Sequence, residues 1–458
     1  MDLAKCRSAF KAYDLRGKVP DEVNEELAYR IGRVFVDMLN AKKVVIGHDA
    51  RLSGENISRA LSDGLTDAGC CVLDIGLCGT EMVYFATTFL KADGGIMITA
   101  SHNPMEYNGM KFVREGSRPI SSDTGLLEIA DKALYTDIAH TVVPGRQKGE
   151  ITQIDVMKDY AGHLLTYITP AKLKPLKIVV NAGNGCAGAA LDAIESSLPY
   201  KLIKIYHEPD GNFPNGVPNP ILPQNREATA EVVRREKADF GVAWDGDYDR
   251  CFLFDEQGGF IEGYYIVGLL TDAFLRKTPN SKIIHDPRLV WNTLEIIQKY
   301  GGEAVESKSG HAFIKEKMRA VDAVYGGEMS AHHYFKDFTY CDSGMLPWLL
   351  VSELMCLSGK SLSAMVNERI DKFPCSGEIN RQVADSGAVI AAIKEKYGKL
   401  GKMSEVDGIS VEFDAWRFNV RISNTEPVVR LNLETRGDKA LMENKTKELL
   451  EIIGGRPD

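Results

Sequence analysis

Short aliphatic runs, each opening into a polar, glycine-containing loop and followed by a stretch of helical periodicity, recur three times along the chain. The first runs are KKVVIGHDAR (residues 42–51), LKIVVNAGNG (176–185) and SKIIHDPR (281–288). Each is answered by a second run, GGIMITASHNP (94–104), FGVAWDGDYDR (240–250) and AVYGGEMSAHH (323–333), with helix-like stretches at 58–68, 228–237 and 312–318 between them. Apolar runs bounded by Gly, Asp and Asn read as buried strands, and their alternation with helices predicts parallel α/β units. Open α/β sheets bind ligands beyond the carboxyl ends of their strands, so three such units can direct three loops at one cleft.

From about residue 373 the pattern changes. Strand-like runs at 409–413, 416–423 and 428–435 lead into a helical finish at 439–453, which predicts a small α+β module. The expected fold class is α/β, with three related mixed α/β domains at 1–148, 149–257 and 258–372 and a smaller C-terminal α+β domain at 373–458. Linkers are expected near residues 149, 257–259 and 373–376.

Composition narrows the function classes. The chain has 458 residues, 44% hydrophobic and 26% charged, which fits a multi-domain globular protein. A net charge of -9 without long runs of one sign leaves no electrostatic footprint for nucleic acid or an anionic membrane. Nine cysteines without paired metal-ligand spacing point to a reducing compartment. The first ten residues lack an apolar signal-peptide core, and the apolar run at 345–357 contains Glu353 and is shorter than the roughly 20 residues of a spanning helix. A cytoplasmic protein is expected.

The loops carry the chemistry. Ser101 ends a strand within Thr99-Ala100-Ser101-His102-Asn103-Pro104, an exposed position for a covalent relay, or else a turn residue. His102 is not expected to act as its base, because neighbouring side chains usually point apart. No G-x-S-x-G elbow is present.

Asp245, Asp247 and Asp249 alternate around Gly246, which is expected to let the backbone curl so that the carboxylates converge. A hard dication collects oxygen ligands in this way, and Mg²⁺ is the expected ion. A calcium loop fits less well: Glu256 falls at the twelfth position, but Arg250 stands at the sixth, where that turn needs glycine. In the third loop Glu328 and Ser330 suit vicinal sugar hydroxyls, while His332 and His333 lack helical zinc spacing and read as packing or supporting residues. In the tail Arg421, Ser423, Asn424 and Thr425 offer a guanidinium and a hydroxyl- and amide-rich turn, either for phosphate or as a hairpin turn only.

In order, FKAYDLRG (10–17), TASHNP, DGDYDR, GEMSAHH and SNTEPVVR (423–430) resemble the α-D-phosphohexomutase superfamily, and within it the bacterial phosphomannomutase/phosphoglucomutase group. The resemblance implies four domains around a central cleft. It implies Ser101 as a phosphoserine, with Asp245, Asp247, Asp249 and that serine's phosphate holding one Mg²⁺. Glu328 and Ser330 match sugar readers, and Arg421, Ser423, Asn424 and Thr425 a distal phosphate clamp. Tyr13, Arg16, Lys111, Arg250 and His311 resemble residues that line the cleft and manage charge and protons. Arg288 stands where relatives often carry lysine. It suits phosphate binding but not base chemistry, which leaves Lys111 and His311 as candidates for that task.

The resemblance further implies conversion of hexose 1-phosphate to hexose 6-phosphate, with mannose favoured, through a hexose 1,6-bisphosphate that also serves as activator. Partners are then small sugar phosphates, with no obligate protein partner. Two rivals remain open: an aspartyl-phosphate phosphotransferase with Asp245 as nucleophile and Asp247 as acid/base, and a non-catalytic sugar-phosphate sensor.

Overall fold

The computed structural model describes residues 2–422 and 428–457. They form two compact units, one of Met1–Phe260 with His332–Gly359 and the other of Ile261–Ala331 with Lys360–Asp458.

Among the described residues of the first unit there are two α/β sheets. The larger has the strand order Leu15–Lys18, Tyr107–Arg114, Gly94–Ile98, Lys43–His48, Cys71–Leu77, Ile151–Gln153, with Arg118–Pro119 paired to Tyr107–Arg114. Strands from Gly94–Ile98 to Ile151–Gln153 run parallel, while Tyr107–Arg114 returns antiparallel and carries Leu15–Lys18, also antiparallel, on its outer side. The helices Glu25–Leu39 and Gly54–Asp67 cover this sheet with apolar faces, burying Ile31, Phe35, Leu61 and Leu65 against Val44, Ile46, Ile96 and Ile98. The second sheet has the order Cys251–Phe254, Phe240–Trp244, Lys177–Asn181, Lys201–Ile205, again parallel except for its antiparallel edge, Cys251–Phe254.

The apolar run at 345–357 becomes the helix Met345–Ser358, buried along nearly its whole length. Trp348 meets Trp244 edge to face at 6.4 Å, and the Trp244 indole donates to the Gly344 carbonyl at 2.8 Å. Glu353 accepts the Thr169 backbone N–H at 2.7 Å, which accounts for a carboxylate in this apolar element. A second buried carboxylate, Glu81, accepts from Tyr160 Oη at 2.5 Å, Ser343 Oγ at 2.8 Å, and the N–H groups of Gly344 and Met345 at 2.6 and 3.2 Å. No single helix among the described residues is long and apolar enough to cross a membrane.

The second unit contains parallel strands in the order Glu303–Glu306, Lys282–His285, Tyr325–Gly327. It also holds an antiparallel sheet in the order Lys402–Ser404, Ile409–Glu412, Trp416–Ile422, Val428–Thr435, Cys375–Gln382, Arg456–Pro457. Helices Ser386–Tyr397 and Lys439–Ile453 pack on it through Ile393, Tyr397, Leu449 and Ile453.

The helices read at 58–68, 228–237 and 312–318 form as Gly54–Asp67, Glu227–Glu236 and His311–Val321. The strand Cys375–Gln382 begins within the stretch expected as a linker, 373–376. With Ile379 as its one aliphatic residue, that strand shows no alternation, and its pairing with Val428–Thr435 supplies what its own sequence lacks.

Candidate active site

In the first unit the strand Gly94–Ile98 delivers Ser101, which is buried and has φ +50°. That left-handed conformation is unusual for serine and has to be held from outside. The Arg51 guanidinium does so by donating to the carbonyls of Ser101, Asn103, Pro104 and Tyr107 at 2.9, 2.6, 2.7 and 2.9 Å. Thr99 Oγ1 accepts the Ser101 N–H at 2.8 Å and donates to Asp49 at 2.7 Å.

The turn brings the Ser101 hydroxyl 2.8 Å from Asp245 Oδ2, to which it donates, and 3.0 Å from His102 Nδ1. This corrects the expectation that His102 points away, since a left-handed serine removes the alternation on which it rested. Burial, then Arg250, Arg16 and Lys111, hold the His102 imidazole well below its usual pKa, so it is neutral. The Arg250 guanidinium donates to its Nδ1 and pairs with Asp245 Oδ2 at 2.8 Å. Arg16 donates to Asp14 and to Asn103 Oδ1, each at 2.8 Å, and Tyr13 lies partly buried in the bend before it.

The strand Phe240–Trp244 ends in the aspartate loop. The curl lies at Tyr248, with φ +43°, and not at Gly246 as the sequence suggested. Gly246 serves close approach: a Cβ there would lie 2.6 Å from the Ser101 carbonyl oxygen. The buried Tyr248 ring fills the space beside Gly79, where a Cβ would meet it at 2.1 Å. Backbone hydrogen bonds from Thr80 to the Asp247 carbonyl (3.0 Å) and from Cys186 to the Gly246 carbonyl (3.1 Å) fix the loop further.

Asp245, Asp247 and Asp249 are all buried, and each offers a carboxylate oxygen within 4.8 Å of the others. The Lys111 ammonium, on the neighbouring sheet, lies 2.6 Å from both Asp247 and Asp249. Burial opposes the charge on Asp247, but Lys111, the Thr80 hydroxyl at 2.5 Å and Arg16 overcome it and hold that carboxyl below its usual range. Asp249 is pushed up to about 6 by burial and by Asp247. Burial likewise works against the Lys111 charge, and the two aspartates outweigh it, so Lys111 is held protonated. Among the described residues Asp247 Oδ1 and Asp249 Oδ1 have no hydrogen-bond partner. Buried carboxylate oxygens without donors, in a group of three, fit a hard cation. His332 extends the group: its Nδ1 is 3.0 Å from Asp342, and together with Asp249 these form a second ligand-spaced set.

In the second unit Arg288 is buried and raised above the ordinary arginine range, burial being outweighed by Asp286 at 2.7 Å and Glu378 at 3.2 Å. Its guanidinium is 3.6 Å from Glu328 and 3.4 Å from Ser330 Oγ, so the structure brings these three sequence candidates together. Glu328 also accepts the Gly310 N–H at 2.8 Å, and His311 begins the helix His311–Val321 immediately after it. Arg421 ends the strand Trp416–Ile422 one residue from its terminus and contacts Glu378 at 3.2 Å. Ser423, Asn424 and Thr425 lie outside the described residues.

Arg51, Thr80 and Glu378 are missing from the sequence reading. Arg51 and Thr80 sit at a strand end and a helix start, where a visible signal exists but names no partner. Glu378 lies in a stretch without periodicity.

Four family models match the chain in order. They are phosphoglucomutase/phosphomannomutase alpha/beta/alpha domains I (residues 7–136), II (158–259) and III (262–373) and the C-terminal domain (378–451). A phosphohexose mutase of Xanthomonas campestris is 57% identical over 448 residues, covering 98% of this chain and 99% of that one. A phosphomannomutase of Escherichia coli is 55% identical over 453 residues, covering 97% and 99%. The crystal structure of a phosphoglucomutase/phosphomannomutase family protein from Burkholderia thailandensis superposes with a TM-score of 0.86 at 30% identity, covering 99% of both chains. With the four domains matched in sequence order and the α/β sheets bearing its loops, the chain belongs to the phosphoglucomutase/phosphomannomutase family of the α-D-phosphohexomutase superfamily and is a phosphohexomutase, an intramolecular phosphotransferase.

Proposed function

We propose that this enzyme interconverts mannose 1-phosphate and mannose 6-phosphate, with Ser101 carrying the phosphate and a hexose 1,6-bisphosphate as intermediate. The observation that carries the reading is the Ser101 hydroxyl, 2.8 Å from Asp245 within the group of three buried aspartates. Relatives named phosphomannomutase at 55% identity support the choice of mannose.

The site fits one Mg²⁺ held by Asp245, Asp247 and Asp249 with an oxygen on Ser101; when bound, it supplies neutralisation of charge on the transferring phosphoryl group. The protein's own residues do the rest. The sugar O6 attacks phosphorus in line, the bond from phosphorus to Ser101 Oγ breaks, and the hydroxyl proton leaves to a base. Return of the 1-phosphate to Ser101 reverses these roles, and the bisphosphate restores enzyme that has lost its phosphate.

Arg250, placed against Asp245 and His102, and Arg16 offset the developing negative charge. Lys111, set between two carboxylates, acts as a charge stabiliser, and His311 is the candidate base. Glu328 and Ser330 read sugar hydroxyls, and Arg421 with Ser423, Asn424 and Thr425 grips the distal phosphate. An aspartyl-phosphate route is disfavoured because Asp245 Oδ2 already accepts from Ser101 and Arg250.

Peptide mapping of the active enzyme tests the reading. Phosphate on the peptide containing Ser101, its loss together with nearly all turnover in Ser101→Ala, and loss of turnover on chelation with recovery on adding Mg²⁺ are the expected results. Phosphate on Asp245, or full activity in Ser101→Ala, would overturn it. Side-by-side turnover of mannose, glucose and glucosamine 1-phosphates decides the sugar.

A further inference from the structure

In the antiparallel sheet of the second unit, Arg421 and Arg430 are directly opposed on adjacent strands, in register with each other. Like charges facing across a strand pair repel, and an anion nearby relieves that repulsion. Glu378 supplies it from the next strand, where its register position falls two residues from the partner of Arg430, on the same face.

The contacts are economical. Glu378 Oε1 meets Arg430 Nη1 at 3.1 Å, and Oε2 meets Arg421 Nη2 and Arg288 Nη1, each at 3.2 Å. Among the described residues one carboxylate thus meets three guanidiniums, each through a single nitrogen and not by the paired fork that makes arginine–oxyanion recognition strong. These distances are also longer than the roughly 2.7–2.9 Å of a well-formed charge-assisted bond. Arg421 is 5% exposed, and among the described residues its Nε has no hydrogen-bond partner. The other acids near the cluster, Asp286 and Glu328, face Arg288: Asp286 Oδ2 at 2.7 Å and Glu328 Oε1 at 3.6 Å. Burial disfavours the charge on Glu378, and Arg288, Arg430 and Arg421 together overcome it, so the carboxylate stays ionised.

We propose that Glu378 is a resident counter-anion that a sugar phosphate displaces from Arg421 and Arg430, setting how tightly the enzyme holds a phosphate. The inference rests on the reading of Arg421 as a phosphate clamp and goes beyond it by naming the group with which the phosphate competes. A tetrahedral dianion presents more acceptors than a carboxylate and can take paired donors from both guanidiniums, while Glu378 in its absence keeps the arginines from repelling one another apart. A phosphate that must be released in each turnover is thereby held less tightly than two unopposed arginines would hold it.

The probe is inorganic phosphate, measured as a competitive inhibitor against hexose 1-phosphate and, independently, by calorimetric titration of the full-length enzyme. Glu378→Gln, which keeps the shape and removes the charge, should bind phosphate about tenfold more tightly and lower kcat through slower product release. Glu378→Ala is the second variant and should change phosphate affinity in the same direction. Equal or weaker phosphate binding in the variant that folds would overturn the proposal, since a purely structural role for Glu378 predicts loss of affinity as the arginines splay. Arg421→Ala separates the two levels. If it binds phosphate as the unmodified enzyme does, the clamp reading itself fails; if it binds weakly while the Glu378 variants are not tighter, only the counter-anion fails.

Discussion

Adding one methyl group at Gly246 should uncouple the serine loop from the aspartate loop. The new Cβ would sit 2.6 Å from the Ser101 carbonyl oxygen, below the 3.0 Å that real Cβ contacts require and well below the 3.4 Å of ordinary contact. Neither side yields easily, because Arg51 holds that carbonyl at 2.9 Å and the aspartate loop is tied by the N–H groups of Thr80 and Cys186. The loops must separate by about 0.4–0.8 Å, which weakens the 2.8 Å bond from Ser101 to Asp245. Overpacking of this kind destabilises by about 1–3 kcal/mol. Misplacement of reacting groups on this scale lowers kcat by roughly 10- to 100-fold. Steady-state turnover at saturating Mg²⁺ and bisphosphate, with thermal unfolding alongside, measures both. Gly162→Ala is the control. It lies exposed in the helix Met157–Leu165 with nothing within 4 Å of its added Cβ, so it should stabilise by about 0.5–1 kcal/mol and leave turnover unchanged. Native kcat in Gly246→Ala would refute the argument that close approach of the two loops governs the site.

Lys111→Met should bind Mg²⁺ more tightly, because an ammonium 2.6 Å from Asp247 and Asp249 competes as a cation for the same two carboxylates, while turnover falls; calorimetric titration showing weaker binding would contradict this. Burial pushes Glu81 up to about 8, above its ordinary value near 4.5, so the folded state binds the proton more tightly. Stability from this group is therefore complete at low pH and is lost as pH rises toward about 8, and Glu81→Gln should flatten the unfolding temperature between pH 5 and 8. The effect is on the order of 1–4 kcal/mol, and equal pH slopes in the two proteins would remove Glu81 as its source.

The strand-loop-helix order was legible because short β-branched runs such as VVI and II, bounded by polar and glycine-containing loops, read as buried strands. The three aspartates were legible because their type and spacing already state a chemistry. What escaped were contacts made by folding. His102 reaches Ser101 through a positive φ that serine does not advertise, and Tyr248 takes the turn that Gly246 seemed suited to make. The sequence offers Lys111 as a candidate base, and nothing in it reveals the two carboxylates from a different sheet that lie against its amine. Glu378 sits between Gly377 and Ile379 in a polar stretch, and its meaning comes from Arg288, Arg421 and Arg430, each more than 40 residues away in the chain.

The return of His332–Gly359 to the first unit bears on how the polypeptide is made. When residue 260 leaves the ribosome, Trp244 still lacks the Gly344 carbonyl, Thr169 lacks Glu353, and Glu81 lacks the backbone donors at 344 and 345. The nascent first unit must wait for about a hundred further residues, including all of 261–331, with the surface destined for Met345–Ser358 uncovered. At a typical synthesis rate of about 5–20 residues per second that interval lasts on the order of 5–20 seconds. Chains stalled or truncated between 260 and 345 should accordingly be the species that chaperones and proteases encounter, whereas release beyond 359 lets the first unit close while the last hundred residues are still being added.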